Sequence, residues 1–179
     1  AARGGMISFS DLCRRIDTLW RTRRDDVEAQ AGQLTGALGR TALLEPGEQV
    51  PGVDALEGAL RDLGRMHDAT YGGFGAAPKF PQPMTLEFLL RMAVRGSLGA
   101  LEMLTTTLDR MAAGGIYDHL GGGFARYSVD ARWLVPHFEK MLYDNALLAG
   151  VYVEAFQATG DANYAQVARE TIEYVLRDM

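Results

Sequence analysis

The stretch 114-GGIYDHLGGGF-124 has a counterpart fifty residues upstream, 64-GRMHDATYGGF-74. Gly64 matches Gly114, Asp68 matches Asp118, Gly72 matches Gly122, Gly73 matches Gly123 and Phe74 matches Phe124. Each copy ends one helical pattern and leads, through a proline-containing loop, into a second and more apolar one. The repeating unit is therefore helix, Gly-Gly-Phe loop, helix. One such unit cannot bury its own apolar face, so two of them read as stacked helical hairpins.

The two helices of a unit differ in kind. The first, over 53–69 and again over 98–113, is amphipathic; in the earlier copy Asp54 is read as the cap and Leu56, Leu60, Leu63 and Met66 as the stripe. The second, over 84–95 and 136–159, is apolar nearly all round and should be buried. Gly160 ends it, and a sixth helix starts near Ala162. Alternating β-branched runs are absent, so no strand is expected. An outer amphipathic and an inner apolar helix, repeated, predict an all-α double-layered helical toroid. Its long outer-to-inner loops gather where the inner helices begin. Helix N-termini carry free N–H groups and partial positive charge, so a site is expected at that end.

Upstream, residues 8–38 read as one long helix. Ser8 or Ser10 caps it, Asp11 completes a capping box, and Gly39 suits the C′ position. The segment 41-TALLEPGEQVPG-52 is a linker. The expected domains are 1–40, 41–52 and 53–179. The only cysteine, Cys13, lies near Leu12 and Ile16 and reads as a packed small hydrophobe. The basic run 14-RRIDTLWRTRR-24 is followed by Asp25, Asp26 and Glu28, as on a solvated helix face.

Net charge is −5, which argues against nucleic-acid binding through bulk charge. No apolar run of roughly eighteen residues suggests a membrane span, and there is no signal-peptide pattern, so a cytoplasmic location is expected. His67, His119 and His137 share no ligand spacing, and the Gly-Gly-Phe copies lack the phosphate-loop arrangement. Neither a metal nor another cofactor is called for. The chain opens on AARGG and stops inside 161-DANYAQVARETIEYVLRDM-179, as a piece of a longer protein would.

The run 121-GGGFARYSVDARWLVPHFEKMLYDNALL-148, with 71-YGGFGAAPKFPQP-83 before it, closely resembles the thioredoxin-domain-containing family typified by the spermatogenesis-associated protein. The resemblance starts near 4-GGMISFSDLCRRIDTLW-20 and covers almost the whole chain. It implies that residues 1–40 are the tail of a thioredoxin-like domain whose cysteine motif lies upstream. It implies that 53–179 are the first hairpins of an (α/α)6, six-hairpin glycosidase-like toroid. That architecture also serves N-acylglucosamine 2-epimerases. Carbohydrate chemistry follows only as a fold analogy, and fold alone does not give function.

With Pro136 read as the first residue of a helix, His137 and Glu139 fall in its first turn. The dipole there favours Glu139 and pushes His137 toward the neutral form, so His137 suits a general base. The competing reading makes Glu139 a helix-start acid and His137 a hydrogen-bonded core residue. Asp144 and Asn145 stand in an apolar stretch and need partners. Either a neighbouring loop supplies them, or Asp144 works with Asp130 or Glu139 as an acid and base on a glycosidic bond. Arg126, Tyr127, Arg132 and Trp133 are read as exposed loop cations and aromatics. They suit stacking on a sugar ring and forking to a carboxylate. Alternatively Arg126 pairs with Asp130 and Trp133 plugs the loop onto the core. Lys79 and Phe80 hold the matching loop of the first unit; Lys79 either reaches the site or faces solvent.

Two functions stay open. One is a carbohydrate-processing enzyme, epimerase-like or hydrolase-like, that takes a small sugar-like ligand. The other is a non-catalytic scaffold that binds a ligand or partner beside the thioredoxin-like domain. Half-covered inner helices are expected to favour self-association.

Overall fold

The structure is a computed structural model that describes residues 7–42 and 50–179. The chain divides into one unit up to Val50 and a second from Pro51 to Met179. Most of the linker expected over 41–52 lies outside the described residues. Among the described residues the only regular elements are helices.

The first unit holds α1 (Phe9–Thr22) and α2 (Arg24–Ala42). Ser8 caps α1, its side chain accepting from the Asp11 N–H. The single helix expected over 8–38 is interrupted at Arg23, whose φ of −142° is non-helical, and α2 runs past Gly39. No Pro or Gly marks the break. Cys13 is exposed rather than packed, because α1 buries none of its residues. The basic run is neutralised locally by Arg14–Asp11, Arg21–Asp17 and Arg24–Glu28 pairs, each one helical turn apart.

The second unit holds α3 (Val53–Met66), α4 (Pro83–Val94), α5 (Leu98–Ala113), α6 (Leu142–Thr159) and α7 (Ala162–Asp178). Gly52 rather than Asp54 caps α3, and Asp54 sits in the first turn. Ser97 and Asp161 cap α5 and α7 through their side chains, and Gly160 closes α6 in the left-handed conformation. The apolar helices α4 and α6 pack on one another. Each is backed by an amphipathic helix, α5 behind α4 and α7 behind α6. Their shared core includes Leu86, Leu89, Leu104, Leu108, Leu148 and Tyr152. Each large apolar side chain buried there contributes about 1.5–3 kcal/mol. Arg91 pairs with Glu154 between the two inner helices, and the Tyr152 hydroxyl crosses to the outer layer, donating to the Leu108 carbonyl at 2.8 Å.

Both repeat copies fold alike. Asp68 accepts from the N–H groups of Thr70 and Tyr71, and Asp118 accepts from those of Leu120 and Gly121. Isolated bridges His67–Phe74 and Tyr117–Phe124 close each loop. Gly72 and Gly122 have φ of 68° and 78°, a region that favours glycine. A Cβ on Gly72 would lie 2.6 Å from the Thr107 Cα, and one on Gly122 would run into the Glu170 carbonyl. The loops thus touch the next outer helix backbone to backbone.

Candidate functional site

The largest departure from expectation is the start of the last inner helix. It begins at Leu142, not Pro136. Residues 135–139 pair with 126–129 instead, with a bend at Phe138 where the Glu139 N–H donates to the His137 carbonyl. The His137 N–H donates to the Tyr127 carbonyl at 2.9 Å, and the Arg126 N–H donates to the Glu139 carbonyl at 2.7 Å. Lys79 and Ser128 exchange both backbone hydrogen bonds at 2.8 Å. A small ladder of three extended segments therefore joins the two repeats. His137 and Glu139 are not first-turn residues, so the dipole argument for them falls away. Backbone pairing across the ladder satisfies the 136–139 segment in place of helical bonds.

The ladder sorts side chains by alternation. Lys79 and Ser128 point inward and are fully buried. Phe80, Tyr127 and His137 form a row on the other side. Tyr127 lies 4.9 Å from Phe80 and 4.6 Å from His137, centroid to centroid, and stacks on the imidazole. Beside this row the Arg126 guanidinium donates to Glu139 at 3.1 Å, and the His137 Nδ1 is 3.8 Å from the same carboxylate oxygen. These three groups are about half exposed.

Asp144 completes the cluster. It is the third residue of α6 and is 8% exposed, yet its carboxyl has no hydrogen-bond donor within the described residues. Burial raises its pKa, and the nearby Arg126 charge only partly opposes that. Its neighbour Asn145 plays the part a buried amide should. It accepts from the Phe124 N–H and donates to the Phe124 and Met141 carbonyls, which locks the second Gly-Gly-Phe loop to α6.

Three of the expected site residues go elsewhere. Asp130 turns back on its own loop, accepting from the N–H groups of Arg132, Leu134 and Val135. Burial pushes its carboxyl up, but those donors and the Ser128 hydroxyl bring it below the ordinary value. It pairs with neither Arg126 nor Asp144. Trp133 is not an exposed stacking surface. It is fully buried at a left-handed φ of 64°, lies over Gly73 and donates from Nε1 to the Tyr71 carbonyl at 2.8 Å. Lys79 neither faces solvent nor reaches the cluster. Its ammonium donates to Asp68 at 2.8 Å and to the Gly72 carbonyl at 2.9 Å, with the Trp133 ring 5.5 Å away.

Lys140 is the residue that sequence reading missed. It donates to Asp118 and the Gly122 carbonyl, both at 2.8 Å, and lies 4.0 Å over the Tyr174 ring. It is the second copy of Lys79. The signal was present: both lysines follow a Gly-Gly-Phe loop and shortly precede an apolar helix. Lys140 also holds the backbone between Glu139 and Met141, and so fixes where Glu139 sits. Among the described residues no group of three or more His, Cys, Asp or Glu is placed to hold a metal ion. No described helix is long and apolar enough to cross a membrane.

No protein-family model matches the chain. It is 40% identical over 182 residues to spermatogenesis-associated protein 20 of Mus musculus and of Homo sapiens, and 32% identical over 184 residues to an uncharacterized protein of Caenorhabditis elegans. These matches take in 97–98% of this chain but 23–24% of the relatives, so the chain spans about a quarter of their length. Among solved structures it is similar to a sugar epimerase from a ruminal bacterium, with a TM-score of 0.56 and 15% identity. It is also similar to cellobiose 2-epimerase from Spirochaeta thermophila, with a TM-score of 0.52 and 21% identity. Those alignments cover 68% and 69% of this chain and 36% of each epimerase chain. The fold is accordingly part of an all-α helical toroid.

Proposed function

We propose that the second unit belongs to a carbohydrate-processing toroid, epimerase-like or hydrolase-like, in a longer protein. The Arg126–Glu139–His137–Asp144 cluster is its proton-transfer site. The carrying observation is Asp144. A carboxyl on a largely buried residue, with no protein donor and its oxygens still reaching solvent, is a poor structural element and a good proton holder, since partial burial favours its neutral form while leaving it open to a ligand. Glu139, paired with Arg126, supplies a second carboxylate of different environment. His137 lies at hand for the opposite proton step. Phe80 and Tyr127, tilted by 35° to one another, offer partly exposed aromatic edges and faces of the type that pack on a sugar ring. Trp133, Lys79 and Asp130 support this surface from behind and take no part in the chemistry.

In this reading the remaining hairpins supply the rest of the site, and the unit up to Val50 is the tail of a thioredoxin-like domain. A cytoplasmic location is part of this reading, and the one cysteine in these 179 residues, Cys13, has no second thiol among them to pair with. One observation favours the rival scaffold reading: Trp133 and Lys79 fill the loop end of the first repeat completely.

The test is a thermal-shift screen of the complete-length protein against monosaccharides, N-acyl sugars and short glycans, with His137→Ala and Asp144→Asn alongside. Specific binding to the folded state raises its melting temperature. A sugar that stabilises the parent and neither variant supports the site. No shift across the panel from a folded protein moves the assignment to the scaffold.

A further inference from the structure

A second cavity lies away from the ladder, where α5 ends against the first half of α7. It measures about 450 Å³ and is lined by Asp109, Tyr117, His119, Asn163, Tyr164 and Glu170 among others. The first repeat has an equivalent cavity of about 330 Å³ between α3 and α5. The correspondence is positional. Ser97 and Asp161 cap α5 and α7, so these helices align with a shift of 64 residues, while the loops align with a shift of fifty. On that register His67 corresponds to Tyr117, Ala69 to His119, Gly99 to Asn163, and Thr106 to Glu170.

The fold makes this hollow twice, and the first copy is lined by one carboxylate and one imidazole, Glu102 and His67, beside small or apolar residues and Thr106. The Tyr164 hydroxyl donates to Asp109 at 2.8 Å. The equivalent positions in the first repeat are Ala100 and Ala59, which keep their hairpin together without any polar pair. Where the first copy has Thr106, the second has Glu170, which accepts from the Tyr117 hydroxyl and from Gln166. Those two donors hold Glu170 below the ordinary carboxylate range, so it stays ionised. The second cavity therefore carries a further carboxylate, two phenols and two amides that the first cavity does without.

We propose that the cavity between α5 and α7 is a binding site for a small aliphatic amine in its ammonium form. Its lining carries two carboxylates, two phenol oxygens, the Asn163 and Gln166 amides and the His119 imidazole, and no Lys or Arg. Each carboxylate has acceptor capacity beyond the phenol it already holds. An ammonium group, with three donors and no acceptor, matches that set through charge-assisted hydrogen bonds. A neutral polyol could donate to the same carboxylates but would bring no charge to offset theirs, and an anion would be repelled. The site is independent of the proton-transfer cluster, since no residue is shared.

The probe is 1,4-diaminobutane, with 1,4-butanediol as the neutral molecule of the same length, titrated calorimetrically into the complete-length protein. Saturable binding of the diamine and none of the diol is expected. Asp109→Asn and Glu170→Gln should each weaken the diamine by at least about tenfold, the size of one lost charge-assisted bond. His137→Ala, at the other site, should leave it unchanged. Equal binding of diol and diamine would overturn the assignment. So would the absence of saturable diamine binding by the folded parent protein, or an affinity that both carboxamide variants retain.

Discussion

The two Gly-Gly-Phe loops are built to one plan and finished differently. Each has an aspartate capping its turn, a lysine tied to that aspartate and to a glycine carbonyl, and an aromatic ring over the lysine. In the first loop the lysine follows the aspartate by eleven residues and is fully buried under Trp133, a residue of the second loop. In the second loop the spacing is twenty-two residues, the lysine is 20% exposed, and the ring is Tyr174 of α7. The longer spacing makes room for Arg126 to Val135. That segment seals the repeat behind it and carries candidate site residues on its outer side. Sealing and site-building are thus two faces of one insertion.

The comparison breaks most visibly at the aromatic lids. Trp133→Ala should cost about 4–5 kcal/mol in urea unfolding, the upper part of the range for a buried tryptophan. Tyr174→Ala, on a half-buried ring, should cost about 1–2 kcal/mol. Equal losses would mean the two lids are equivalent after all. The aspartates come next. Asp68→Ala strands a buried ammonium and should cost about 3–4 kcal/mol. Asp118→Ala leaves Lys140 free to reach water, and about 1 kcal/mol is expected. Lys79→Met should be milder than Asp68→Ala, because it removes the buried charge instead of orphaning it.

Asp144 should behave in the opposite sense. Its raised pKa favours the neutral form, so its stabilising contribution is full below the ordinary carboxylate pKa and is lost as pH rises through the folded value. Asp144→Asn should therefore gain about 0.5–2 kcal/mol at neutral pH, with the gain vanishing near pH 3. A variant that loses stability at neutral pH would show that the carboxylate is structural. The smallest effect is on acid unfolding. The Lys140 ammonium, chiefly, brings Asp118 down to about 2. Asp68 is lowered too: desolvation pushes it up, but the Lys79 ammonium and the loop N–H groups outweigh that. Stability from both is present above the ordinary range and should fade between roughly pH 4 and pH 2. Lys140→Met should flatten the Asp118 part of that slope, as followed by circular dichroism.

Much of the fold was legible because its helices carry their own punctuation. α5 runs from Leu98 to Ala113 as expected, between Ser97 and Gly114, and α6 stops at Gly160. The failure at Pro136 has a physical origin. A proline suits the first turn of a helix and an extended segment equally well, since its missing N–H is unneeded in either. Aligning Lys140 with Lys79 would have settled it, as both helices start within a few residues of their lysine. The site was legible as a neighbourhood and not as roles. Phe80, Tyr127 and His137 meet only because a ladder spans residues far apart in sequence. Nothing local distinguishes Asp130, spent on its own loop, from Asp144, which has no donor at all. Trp133 sits at a positive φ that no residue pattern announces.

The exchange of backbone bonds between Lys79 and Ser128 has a further consequence. In an array of independent hairpins, each repeat could open alone, and its amides would exchange with deuterium at a rate of its own. Here the Lys79 amide is shielded by a carbonyl of the following repeat, and the Ser128 amide by one of the preceding repeat. Neither repeat can expose that hydrogen without the other releasing it. The two amides should therefore share one protection factor, and the repeat visible in the residues does not survive as a boundary in the molecule's breathing.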